Sequence, residues 1–437
     1  MDVDKILRDN GYSRHENFGE MARWASGQKF KSAADLLQGV NKKYGLPQVR
    51  HEMNTNPAPY KKFFGSLNIE QGAIDQLETA LSIPVAVQGA AMPDMHVGYS
   101  MPIGGVVALD RAVSPSFVGL DIGCRMHCSI WNFDPIDHIA DDDRKNGLLD
   151  MIKRSTSFGV NSSGKKHEHP VMHDKAWNAT KLLRDNKQKA AIQLGSSGGG
   201  NHFCDLMLGT WTDTGKNFMA LVTHSGSRGM GKIIAEYYVK LADSLTSLEY
   251  NVPKGYGWLK FGSLAADEYW EAMQLMGRYA QANHEVIHQN FWKEFGKEPD
   301  EVFENHHNFA WEENGLVVHR KGATPAGSGV VGIIPGSCGT YSYIVKGLGN
   351  PDSLYSASHG AGRTMSRTKA KTLYNPQEDK DIMTGILTSG VAHDESVMAY
   401  KDIERVMDAQ KNLVETLAFM SPMIVVMGGL EKTDDGD

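Results

Sequence analysis

Apolar residues are sparse and short-ranged over the first 80 positions, where helical spacing predicts short helices at 33–37 and 74–81 and no chemistry. The pattern changes at 83–88, an apolar run suited to a buried strand. The glycine- and proline-rich stretch 89–110 reads as a loop between two strand-like runs. Residues 134–189 are charged and irregular. Within 217–231 a short apolar strand is expected to end in His224, and 317–326 opens with another that leads into Arg320 and Lys321. The longest periodic segment, 265–295, carries Tyr269, Trp270, Met273, Met276, Ala280, Val286 and Ile287 at helical spacing. It predicts an amphipathic helix of several turns.

At roughly 150 residues per domain, 437 residues suggest about three domains. No linker, low-complexity tract or repeat divides the chain, and its glycine-bearing motifs are scattered from 89 to 362, so one large domain with insertions is expected. A formal charge of −7 argues against a chain coated in basic residues for nucleic acid, while leaving room for a local basic groove. The first residues alternate charged with apolar and do not read as a signal peptide; no apolar run approaches the ~20 residues of a membrane helix. Four cysteines are too few for a disulfide framework in a chain of this size. They point to a reducing cytoplasm, where a cysteine can serve as a thiolate ligand.

The chemistry concentrates in glycine-rich turns. Residues 194–206, LGSSGGGNHFCDL, place three glycines before Asn201 and His202, a pattern that brings backbone and a metal-binding imidazole close to a ligand. In FVGLDIGCRMHC, Asp121 and Cys124 lie three apart across a glycine and can aim an oxygen and a sulfur at one point. That donor pair suits Mn, Zn or Fe better than Mg or Ca. Cys128 reads as a small buried hydrophobe. A strand feeding His224-Ser-Gly-Ser-Arg228 looks like a phosphate or metal site at a strand end. His359, followed by Gly360, Ala361, Gly362 and Arg363, fits a nucleophile toward phosphorus, with a turn-capping histidine as the alternative. Asp94 and His96 read equally as site groups or as turn residues bonded to backbone. The basic patch at 165–169 reads as a solvated loop rather than a nucleic-acid contact. A rival from another class is His284-Glu-Val-Ile-His288, a formal match to the zinc-peptidase pattern inside the long predicted helix.

Nine strings in fixed order, PDMHVGYSMPIGG, VGLDIGC, LGSSGGGNHF, HSGSRG, HN before an apolar residue, HRKGAT, IPGSCGTYSY, SHGAGR and AYKDI, resemble the RtcB family of RNA ligases from about residue 89 to 428. The resemblance implies an α+β fold in a single large RtcB-like domain over 1–437, with mixed sheets packed as a sandwich and flanked by helices. Residues 1–82 would be a variable part, 83–428 the motif-bearing core and 429–437 an acidic tail. It further implies two manganese ions on Asp121, Cys124, His202, His224 and His307, with the Cys124 thiolate bridging them. His359 would be the histidine guanylylated from GTP. Asn201, Phe203, Asp205, Ser342, Gly360, Ala361, Gly362 and Tyr400 would hold the guanosine, and Arg228, Lys321 and Arg363 phosphates. The implied reaction joins RNA 2',3'-cyclic phosphate or 3'-phosphate ends to 5'-hydroxyl ends through a histidine–GMP intermediate.

Three departures from the family pattern stand out. Arg125 follows Cys124 where glycine is usual, making the loop bulkier and more basic, and Asp205 replaces a glutamate that reads the base. Met427 and Gly428 stand where the family ends in Lys-Gly, so Lys432 would substitute only if the tail folds back. A metal-dependent phosphoesterase on the same centre, and an RNA-binding relative without catalysis, are the other readings. The natural RNA, a role in tRNA splicing or in repair, the oligomeric state and the need for an activating protein partner stay open.

Overall fold

A computed structural model describes residues 2–429 except 14, 16, 46–49, 139–140 and 160–165. Lys432 and nearly all of the acidic tail therefore lie outside the described residues. Among the described residues two sheets dominate. The larger runs in the order Glu301–His306, Arg125–Trp131, Asn217–Ser225, Phe203–Trp211, Val414–Val426, Ser342–Gly347, Val331–Ile334, with Leu387–Ser389 alongside Val414–Val426. The smaller runs Asn308–Glu313, Leu316–Lys321, Ile103–Leu109, Ala86–His96, Tyr60–Lys62. Within these two sheets pairing is antiparallel except for Tyr60–Lys62 on Ala86–His96 and Leu387–Ser389 on Val414–Val426, so both are mixed.

The larger sheet nearly closes on itself. The Asn305 side chain does the work of a strand edge, accepting from Ile333 N at 2.8 Å and donating to Ile333 O at 3.2 Å. First and last strands are thereby joined without a continuous ladder. The sheets pack face to face over a shared core in which Val106, Ala108 and Val318 meet Ile334, Val345 and Val414. Helices cover the outside, the longest being Leu264–Phe295 and Arg228–Glu249. This is the α+β sandwich expected from the resemblance. No described helix is long and apolar enough to cross a membrane.

The expected helices exist but are longer, Ala33–Tyr44 and Gln71–Leu81. Ser32 caps the first by accepting from Asp35 N at 3.2 Å, a signal carried by the residue before the apolar pattern begins. Helices Val3–Asp9, Phe18–Ser26 and Ala33–Tyr44 share a small core of their own built on Leu7, Met21, Leu36 and Val40. Residues 134–189 are not irregular: they contain the helices Asp142–Ser155 and Lys181–Gln193. Each buries only a narrow stripe, such as Leu148, Leu149 and Ile152, so polar residues dominate the sequence there. Asp94 and His96 lie at the end of strand Ala86–His96 and not in a loop, because the strand continues through Pro93 with a register shift between Ala91 and His96.

Candidate metal centre and nucleophile

Each glycine-rich turn ends a strand or helix at the same place between the sheets. Asp121 and Cys124 sit on the turn between helix Pro115–Val118 and strand Arg125–Trp131. His202 immediately precedes strand Phe203–Trp211, and His224 is the penultimate residue of Asn217–Ser225. His307 stands where the chain passes from the larger sheet to the smaller, and its backbone N donates to Cys124 O at 3.0 Å. Small residues are required here. A Cβ on Gly226 would lie 2.1 Å from Asp121 Oδ2, and one on Gly198 would lie 2.5 Å from His202 Nδ1.

Two overlapping donor groups result, Asp121/Cys124/His202 and Cys124/His224/His307, each with its ligand atoms within 4.8 Å of one another. Cys124 Sγ lies 3.5 Å from His202 Nε2 and 3.2 Å from His224 Nε2. His202 Nε2 lies 3.2 Å from Asp121 Oδ2, and His224 Nε2 lies 3.2 Å from His307 Nε2. All five residues are buried. Burial pushes His224 down to about 3, with the neighbouring His202 and His359 adding to the effect; burial likewise drives His307 well below the usual imidazole range. Burial raises the Asp121 carboxyl, yet His202 beside it holds it below its ordinary value.

Neutral imidazoles with nitrogens facing each other cannot all donate. His307 Nδ1 and Asp121 Oδ2 also make no hydrogen bond of good geometry among the described residues. Buried lone pairs converging in this way fit cations. One thiolate, one carboxylate and three imidazoles select a transition metal over Mg or Ca. His224 Nδ1 lies 3.2 Å from Asn201 O, which orients the ring as metal-binding histidines require. Cys128, at 0% exposure with its thiol pushed up by burial, is the structural cysteine.

His359 follows strand Ser356–Ser358, and its ring centroid is 4.8 Å from that of His307. Asp94 Oδ2 accepts from His359 backbone N at 3.1 Å and lies 2.7 Å from Nδ1. Burial raises the Asp94 carboxyl, but the His359 hydrogen bond and charge and Lys401 bring it below the ordinary value. An ionised Asp94 places the proton on Nδ1 and leaves the Nε2 lone pair available. Asp94 thus bonds both the backbone and the ring of His359 rather than a local turn. His96 Nδ1 instead rests 2.9 Å from Asp94 O, and burial lowers His96 to about 4.

One cavity of about 1240 Å³ connects these groups. Cys124, His224, His307, Lys321 and His359 line it, as do Asn201, Phe203, Asp205, Ser342, Gly360, Ala361, Gly362, Arg363, Tyr400 and Met427. Asp205 is buried, accepts from Val426 N at 3.0 Å, and is pushed by that burial well above the carboxylate range. Phe203 bridges to Met427, so Met427 does stand beside Asp205's strand.

Asp121, His202 and Arg228 lie behind the wall. Arg228 donates to Ser196 Oγ at 3.2 Å and Gly159 O at 3.4 Å, with Nη1 3.4 Å from His202 Nδ1, so it supports a metal-type ligand. Arg320 gives no charge to the cavity, because it makes a two-pronged pair with Glu313 at 2.8 Å on the opposite strand face from Lys321. Arg125 turns away too, donating to Gly277 O at 2.8 Å and to Glu304 at 3.1 Å. The bulkier loop is real, but its charge is paired.

Sequence reasoning missed Glu395, which binds Arg367 and Tyr400 Oη and stands 3.5 Å from Arg363 Nη1. It also missed Lys401, which donates to Pro93 O at 3.1 Å and Met95 O at 2.7 Å and so pins the segment carrying Asp94. No quoted motif includes Glu395, and Lys401 stands inside AYKDI, where only Tyr400 was given a role. The peptidase pattern fails outright. His284 Nδ1 meets Thr223 Oγ1 and its Nε2 is 3.1 Å from Ser225 O, while His288 nitrogens meet Thr223 Oγ1 at 2.8 Å and Ser129 Oγ at 2.7 Å. Glu285 faces elsewhere, 3.0 Å from His169 Nε2.

Fold and centre together define an α+β protein with a buried Asp/Cys/His cluster whose donors could hold metal ions, beside a cavity lined by a histidine paired with a buried carboxylate. The family model described as "tRNA-splicing ligase RtcB" matches residues 76–428. The chain is 31% identical over 411 residues to "RNA-splicing ligase RtcB" of Escherichia coli strain K12, covering 86% of this chain and 99% of that protein. It is 30% identical over 447 residues to "tRNA-splicing ligase RtcB" of Methanococcus maripaludis, covering 83% and 92%. The chain belongs to the RtcB family of RNA-splicing ligases, and membership implies an RNA ligase.

Proposed function

We propose that this protein joins RNA 2',3'-cyclic phosphate or 3'-phosphate ends to 5'-hydroxyl ends, using GTP and two manganese ions, through a covalent adduct of GMP on His359. The observation that carries the reading is His359, oriented by Asp94, against His307 of the double donor cluster in one cavity. His359 Nε2 forms a bond to the α-phosphorus of GTP as the bond to the bridging oxygen breaks and pyrophosphate leaves. Asp94 keeps the proton on Nδ1 and balances the positive charge the ring gains. Water opens any cyclic phosphate to the RNA 3'-phosphate, which takes GMP as the Nε2–phosphorus bond breaks and frees His359, and the 5'-hydroxyl then displaces GMP to close the phosphodiester. Asp121, Cys124 and His202 would hold one ion and Cys124, His224 and His307 the other, supplying Lewis-acid stabilisation to phosphate oxygens.

Asn201, Phe203, Asp205, Ser342, the 360–362 turn and Tyr400 form the guanosine end, with Lys321 and Arg363 at phosphates. Asp205 would accept from ring NH and amino groups as a carboxylate, those donors offsetting the burial that raises its pKa. We read 83–428 as one motif-bearing domain. A Cys124 thiolate needs a reducing compartment such as the cytoplasm, and no disulfide joins the four cysteines.

Incubation with α-labelled GTP and manganese, followed by denaturing gel analysis, tests the reading. A labelled protein band that His359→Ala lacks supports it. RNA 3'-phosphate release without a labelled band would make the protein a phosphoesterase, and neither activity would leave an RNA-binding relative.

A further inference from the structure

The cavity extends past His359 to a wall formed by residues 97–100, between strands Ala86–His96 and Ile103–Leu109. Here Tyr99 is 69% exposed, beside Val97 at 42%. The segment is firmly held. Gln76 accepts from Gly98 N at 2.9 Å and donates to the carbonyls of Gly98 at 2.7 Å and Tyr99 at 3.2 Å. Tyr256 Oη donates to Ser100 O at 2.6 Å. A large ring is thus held on a clamped backbone at the mouth of the cavity.

Its surroundings are cationic. Lys321 Nζ is 6.0 Å from the ring centroid, and Lys254 and Arg405 line the same cavity. Of the acids in the lining, Glu70 is exposed at the start of helix Gln71–Leu81, and Asp243 is engaged by the backbone N–H groups of Gly255 at 3.0 and 2.9 Å and Gly257 at 3.1 Å. An open aromatic face among cations matches the chemistry of single-stranded nucleic acid, whose bases stack while its phosphates pair with lysine and arginine. The other lobe of the cavity, at Asp205 and Met427, is the one assigned to the guanosine.

We infer that Tyr99 is a stacking platform for an unpaired base next to the RNA end that enters the cavity. The inference rests on the ligase reading. Because every base has a π face, the contact holds an end in place without selecting its sequence.

The test compares the native chain, Tyr99→Phe and Tyr99→Ala by anisotropy of short single-stranded RNAs labelled far from the reacting end. One RNA ends in a 3'-phosphate and one in a 5'-hydroxyl, each also made with an abasic terminal nucleotide. Tyr99→Ala should weaken a base-bearing end about 5- to 150-fold, Tyr99→Phe should bind like the native chain, and the abasic RNA should not distinguish the variants. Adduct formation from GTP should be unchanged in Tyr99→Ala. Loss on either end type, confined to base-bearing RNA, supports the platform. Native-like binding of both ends by Tyr99→Ala, or an equal loss on abasic RNA, overturns it. A native chain that binds neither RNA overturns the ligase reading itself.

Discussion

Replacing Asp94 by asparagine removes one charge from the site while keeping its shape. Asp94 has 0% exposure, and a single carboxylate oxygen serves both the backbone N and Nδ1 of His359. When His359 Nε2 bonds to phosphorus, the ring becomes cationic and the Nδ1–H···Oδ2 contact of 2.7 Å becomes charge-assisted. Hydrogen bonds to charged groups contribute about 1.5–3 kcal/mol, so adduct formation should slow about 10- to 150-fold in Asp94→Asn. Asparagine can also donate to Nδ1, which would favour the wrong tautomer and add to the loss. The assay is rapid-quench, single-turnover formation of the labelled adduct at saturating GTP. Joining of RNA with a pre-activated 3' end serves as the control, because that step does not need the imidazole as nucleophile. A native rate of adduct formation in Asp94→Asn would refute the orienting role. An equal loss in both steps would show that Asp94 supports the wall and not the imidazole.

Four further outcomes are expected. Cys124→Ala should lose manganese and ligation together while Cys128→Ala keeps both, by metal analysis of the folded variants; full metal retention in Cys124→Ala would sink the bridging thiolate. His284→Ala should keep its metal content but lose about 1–3 kcal/mol in denaturant unfolding, because Thr223 Oγ1 and Ser225 O lose a buried partner; a lost zinc would revive the peptidase. Met427→Lys should raise the preference for GTP over ATP in adduct formation about 5- to 150-fold, since lysine supplies a donor to the guanine carbonyl; an unchanged ratio would place Met427 away from the base. Burial raises Glu304, but His127 and Arg125 hold it down to about 2, from an ordinary 4.5. Its folded pKa is depressed, so its stabilisation is complete above 4.5 and fades as pH falls towards 2. Glu304→Gln should thus be less stable than the native chain at pH 6, with a smaller gap at pH 3; a constant gap would deny the ionic contribution.

The order of the motifs along the chain determined the family, and each donor's chemistry was visible locally. A thiolate and a carboxylate three apart, or a histidine after three glycines, are facts of the chain itself. So were the long helix and the strand leading to His224, because their apolar spacing is strong. The outer helices Asp142–Ser155 and Lys181–Gln193 were hidden, because each buries too narrow a stripe to shape the sequence around it. Only the tertiary structure decided which groups share an atom's distance. It brings Asp94 onto His359 from 265 positions away, buries Arg320 against Glu313 while Lys321 lines the cavity, and commits the histidines of the peptidase-like pattern to buried hydroxyls. Those outcomes depend on strand alternation and on which sheet face meets its neighbour. Neither is set by residues close together in the chain.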